Sequence, residues 1–156
     1  AAAHAAPTAD KAADADAADA AALAACARVP ATLGPALGGL LTDGVAEVRL
    51  SAVHAVKAMC KLRPALMRAE GAGVARDVAP GVVSCREDKR HVQNQTAAWR
   101  TMLHMLRAAG GAGAPCVPAG LGPDAAAQFA DFLKGSTYRR IAPLESDAEH
   151  SADDPA

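Results

Sequence analysis

The chain has 156 residues, 51% of them hydrophobic, with a formal net charge of −1. That length suits one domain, but most of the apolar content is alanine. Leu, Val, Ile and Phe number 13, 11, 1 and 2, so the core must be thin, made by close helix contacts and reliant on neighbours. No run is long enough to span a membrane as a helix. The four cysteines, Cys26, Cys60, Cys85 and Cys116, include no C-x-x-C, which excludes the usual zinc and redox-pair spacings. No stretch resembles a secretory signal and the N-terminal region is acidic, so free thiols and a cytoplasmic location are expected. The Ala at position 1 reads as the start of a fragment or processed product.

Residues 1–30 form an Ala/Asp-rich low-complexity segment. Alanine's helix propensity predicts a helix from about Asp10 to Arg28, closed by Pro30. Leu33, Leu37, Leu40 and Leu41 then recur at helical spacing up to Asp43-Gly44. Val48, Ala52, Ala55, Val56 and Met59 predict a second helix, stopped near Arg63-Pro64. Gly71 and Gly73 mark a loop. Val74, Val78, Val82 and Val83 restart the spacing up to Cys85, with Pro80-Gly81 expected to bend or interrupt that helix. Val92, Thr96, Trp99, Leu103 and Leu106 form the last strong stripe.

The order is thus helix, tight turn, helix, loop, and then the same again. A shift of 44 places Asp43 on Glu87, Val48 on Val92, Ala52 on Thr96 and Met59 on Leu103. Two helices per period of about 40–47 residues is the pattern of HEAT and armadillo arrays. The expected fold is all-α: a HEAT/armadillo-like α-solenoid fragment of two repeats over residues 31–109, with flanking helices. Asp43 is placed to cap the second helix of its pair, and Arg49 to reach a neighbouring repeat's turn. Asp43 and Arg49 are therefore expected to join the repeats into a stack. A self-contained helical bundle would show the same paired stripes and stays open as the alternative.

Residues 110–123 read as a Gly/Pro linker, since they lack the Gly-Lys-Ser/Thr ending of a phosphate loop. Residues 124–144 supply a helix begun at Asp124 and carrying Phe129, Phe132 and Leu133, with an extension. Residues 145–156 carry five acids and no Lys or Arg and are expected to be a disordered tail.

Chemistry is sparse. His4, His54, His91, His104 and His150 show no metal-ligand spacing. Cys85 with His91 or His104 would be the one nucleophile–base pairing, but Cys85 ends an apolar face, where a buried structural thiol is the ordinary case. No enzymatic activity, cofactor, metal or small-molecule substrate is expected. The bases are more suggestive. Outside the acidic ends, residues 20–144 hold 15 Lys and Arg against 8 acids. His54, Lys57 and Lys61 share one helical face, and Arg100, His104 and Arg107 share another. Side by side they would make a basic ridge for ribosomal RNA or an acidic protein, or an ordinary solvated surface.

The stretch "VAPGVVSCREDKRHVQNQTAAWRTMLHML", Val78 to Leu106, resembles the last HEAT repeats of the large translational activator of the general amino-acid control pathway. The closing "YRRIAPLESDAE" is similar to that family's C-terminus. The likeness covers about residues 33–150. It implies turn positions at Asp43, Val48 and Arg49, and again at Asp88, Lys89 and Val92, with Gln93 where the family's turn has Arg, so that Asp43, Val48, Arg49, Asp88 and Val92 would stack the repeats. It further implies a ribosome-associated scaffold that activates the kinase of the initiation-factor-two alpha subunit. Ribosome and protein kinase are accordingly the expected partners.

Overall fold

The computed structural model describes residues 30–68 and 73–151, and every regular element among them is helical. The elements are α1 (Pro30–Leu41), α2 (Ala46–Leu62), α3 (Val74–Glu87), α4 (Val92–Gly110), α5 (Pro123–Lys134) and α6 (Ser136–Ser151), with a 3₁₀ turn at Pro64–Met67 after α2. The helix expected over residues 10–28 and the cysteine at 26 lie outside the described residues.

α1 and α2 form one helical hairpin, and α3 and α4 another. Their principal contacts run between hairpins as well as within them: α1 lies on α3 and α2 lies on α4. Like helices therefore stack on like, giving two layers. α5 rests on α3 and α4, and α6 on α4 and α5, so this last pair closes over the second hairpin. Aromatic contacts fasten it. The Trp99 and Phe132 rings lie 5.0 Å apart, and Tyr138 meets Phe132 edge-on at 5.7 Å. Phe129 is fully buried.

The thin core explains how closely the first layer packs. A methyl group on Gly38 would meet the Asp77 carbonyl oxygen at 2.8 Å, and one on Gly81 would meet Leu41 Cβ at 2.5 Å. Glycine here makes room for a neighbouring helix. Pro80 lies inside α3, which runs unbroken through it, so of the two expected outcomes, a bend or an interruption, the interruption does not occur. Pro80 is exposed, while Val78, Ala79, Gly81 and Val82 around it are buried. Their packing offsets the roughly 3 kcal/mol that a mid-helix proline costs.

The second layer corrects the expected register. α2 buries Ala52, Val53, Val56 and Cys60, and α4 buries Ala97, Ala98, Thr101 and Met105. These pairs are 45 residues apart, as are Asp43 and Asp88, so the shift of 44 was one residue short. The inward face of α4 is accordingly rotated from the predicted stripe. Val92 is 67% exposed and Thr96 is exposed, while Asn94 is buried. Val92 therefore does not stack the repeats. Leucine and valine spacing missed this face because two of its members are polar. Asn94 Nδ2 donates to Ala46 O at 2.9 Å, and Thr101 Oγ1 donates to Val53 O at 3.3 Å. Both cross from α4 to the backbone of α2, which satisfies groups whose burial would otherwise be costly.

Residues 111–122 are irregular, as expected of a linker, yet they are tied down. The Cys116 N–H donates to Leu106 O at 3.1 Å, and Pro118 is buried. The acidic segment expected as a disordered tail is corrected as far as Ser151, with residues 152–156 outside the described residues: α6 runs to Ser151, and Glu145 within it is 7% exposed. Cations contributed by α2 and α4 hold it there.

Candidate functional site

The two turns are built alike. Asp43 Oδ1 accepts the Val45 N–H at 2.8 Å, and Asp88 Oδ1 accepts the Arg90 N–H at 3.1 Å. Each aspartate thus folds its own turn through the residue two ahead. Neither is the N-cap of the following helix: those positions are Val45 and His91, whose own side chains make no capping bond.

Arg49, on the first turn of α2, joins the two turns. It donates to Asp43 O at 2.7 Å and to Asp88 Oδ2 at 2.8 Å. His91 Nδ1 lies 2.8 Å from the same Asp88 oxygen. The hydrogen bonds from His91 and Arg49, with the Arg90 N–H, hold the Asp88 carboxyl below its ordinary value. Asp43, Arg49 and Asp88 are therefore brought together. Val48 is half-buried beside Leu37, Leu40, Ala52 and Ala55 in a recess of about 350 Å³ that no residue of the second hairpin lines. In the 45-residue register the counterpart of Arg49 is Asn94, not Gln93. Asn94 reaches back to α2 where an arginine would reach forward.

The six bases of the expected ridge are divided. Glu145 Oε2 accepts from Lys57 Nζ at 3.1 Å and lies 3.0 Å from His104 Nε2, while Oε1 forms an ion pair with Arg100 Nε at 3.0 Å. Arg107 donates to Ala142 O on the same helix at 2.9 Å. Lys57, Arg100 and His104 thus converge, but on a carboxylate supplied by α6. His54 and Lys61 are exposed on α2. Burial pushes His104 below its ordinary value, against the pull of Glu145, so its imidazole is neutral at pH 7. Burial would raise Glu145, but hydrogen bonds from His104 and Lys57 outweigh it and keep the carboxyl ionised.

Between α2 and α4 runs an open groove of about 320 Å³, lined by Leu50, His54, Lys57, Val92, Thr96 and Arg100 together with Gln93 and Ala97. Lys57 and Arg100 belong both to this groove and to the Glu145 cluster. Sequence spacing indicated the bases but not the groove, which depends on the rotated face of α4.

The two buried thiols, Cys60 and Cys85, are held in their protonated form by their surroundings. Burial pushes Cys60 up to about 12. Burial also raises Cys85, whose Sγ lies 3.5 Å from Leu41 O. Among the described residues no group of His, Cys, Asp and Glu is placed to hold a metal ion, and no helix is long and apolar enough to cross a membrane. No family model, curated protein or solved structure matches the chain.

Proposed function

We propose that the chain is a non-enzymatic helical-repeat scaffold that binds proteins and continues a HEAT-like solenoid. The observation that carries this reading is the Arg49 bridge between equivalent aspartate turns of two like-stacked hairpins. Such a bridge fixes one unit on the next. The apolar recess beside Leu37, Leu40 and Val48, with Leu40 45% exposed, is the surface a further hairpin would cover. In the cytoplasm, the resemblance to the translational activator supports work on ribosomes and a protein kinase in translational stress control. A contact to ribosomal RNA through the exposed His54 and Lys61 of α2 belongs to the same proposal.

Sedimentation of the chain with ribosomes through sucrose gradients, at low and raised salt, tests it. Comigration at low salt that falls away as salt rises is the expected outcome. A chain that stays at the top of the low-salt gradient would remove the ribosome from the proposal. The second reading, a closed bundle serving as a small subunit of a larger assembly, is favoured by the α5–α6 pair covering the second hairpin.

A further inference from the structure

The groove between α2 and α4 combines two surfaces that suit one kind of occupant. Its floor is aliphatic, from Leu50, Ala97 and the exposed Val92. One stretch of its lining is basic, from His54, Lys57 and Arg100, and no lining residue is acidic. Toward the turns it continues into a recess of about 270 Å³ shared through Leu50, Val92 and Gln93, where Glu47 joins the lining. The groove therefore changes character along its length: it is basic near the middle of α4, aliphatic around Leu50 and Val92, and mixed toward the turns, where Glu47, His91 and Asn94 line the recess.

A carboxylate already sits at the basic end. Glu145 is ion-paired with Lys57 and Arg100, two residues that also line the groove, and these cations are not sealed off. The Lys57 and Arg100 side chains are 24% and 51% exposed. A second carboxylate entering along the groove would meet the same donors. An RNA backbone would satisfy the cations but leave the aliphatic floor unfilled, whereas a peptide carrying aliphatic and acidic residues satisfies both.

We propose that this groove binds an acidic, aliphatic-bearing peptide segment of a partner protein, with Lys57 and Arg100 receiving its carboxylates in competition with Glu145. Aliphatic side chains of the segment lie over Leu50 and Val92, and its acidic part lies toward α6. This rests on the scaffold reading and adds the class of partner and the place where it docks. α6 then has a second role: by supplying Glu145 it lowers the affinity of the groove for outside carboxylates.

The test is fluorescence anisotropy with the whole chain and a dye-labelled synthetic peptide of interspersed Leu and Glu. Saturable binding is expected, weakened about tenfold when the peptide's Glu are replaced by Gln. Val92→Glu, at a site exposed enough to leave the fold intact, should cost at least about tenfold by placing a like charge on the floor. Glu145→Gln should tighten binding several-fold, because the internal competitor is weakened. Absence of binding in both the wild-type chain and Glu145→Gln would overturn the proposal. So would binding that Val92→Glu leaves unchanged, an affinity indifferent to Glu145→Gln, or a single-stranded RNA that displaces the peptide and binds more tightly. If the peptide fails while the chain still comigrates with ribosomes, the groove inference alone is wrong. If neither binds, the ribosome reading falls with it.

Discussion

At Gly81 the smallest change has a readable consequence. An added methyl would meet Leu41 Cβ at 2.5 Å, and a Cβ cannot swing aside as the end of a long side chain can. α1 and α3 must then separate. Gly81→Ala should cost about 1–3 kcal/mol, the usual range for overpacking, despite alanine's better helix propensity. Urea unfolding of the variant measures it, and a more stable Gly81→Ala would mean that the layer is looser than described. The aspartates teach a related lesson. Asp43 was legible as a turn residue from the sequence because aspartate favours turns, whereas the shift of 44 put Glu87 in the place that Asp88 takes. The bonds of both aspartates go to the residue two ahead, and the helix N-caps are left to other residues. Asn94 and Thr101 were not legible: on a periodicity argument a polar residue marks the outer face, and only the carbonyls of α2 opposite make their burial favourable.

Among the elements, α6 departs furthest from what its sequence suggests. Asp147 and Glu149 follow Glu145 within a few residues, and such a run reads as solvated tail. The cations that hold Glu145 lie far upstream, on α2 and α4, where no local pattern reveals them. The hairpins were readable because Leu and Val recur at helical spacing, whereas the one-residue register error arose because alanine fills the inward and outward faces alike. The His104–Glu145 contact gives α6 a pH dependence of definite sign. His104 is depressed in the folded chain, chiefly by burial, from its ordinary 6.5. Its contribution to stability is therefore present above about 6.5 and declines as pH falls below that value. Glu145 is also depressed, from 4.5, and its contribution is lost at still lower pH, as the folded carboxyl takes up its proton. Both losses run toward acid. The urea midpoint of the wild-type chain should fall between about pH 7 and pH 5, and His104→Gln should flatten that fall. Equal slopes in the two proteins would show that His104 does not set the dependence.

For the whole molecule the decisive feature is that two hairpins are stacked like on like and joined at their turns. Composition announced a thin, alanine-based core, and the structure meets that limit by close glycine contacts, by polar rungs between α2 and α4, and by the Arg49 bridge. Without such links, each hairpin would bury too little to stand alone. The groove along the second layer exists only because the stack holds α2 and α4 at a fixed spacing, so the proposed partner site depends on the same links. The most direct measurement is a double-mutant cycle on Arg49→Ala, Asp88→Ala and their combination, read as urea midpoints by the fluorescence of Trp99. Trp99 lies on the second hairpin and Arg49 on the first. The bridge predicts that Arg49→Ala lowers the Trp99 midpoint and that the double variant loses clearly less stability than the two single losses added together. Strictly additive losses, or a Trp99 transition that Arg49→Ala leaves in place, would contradict a stack joined through these turns.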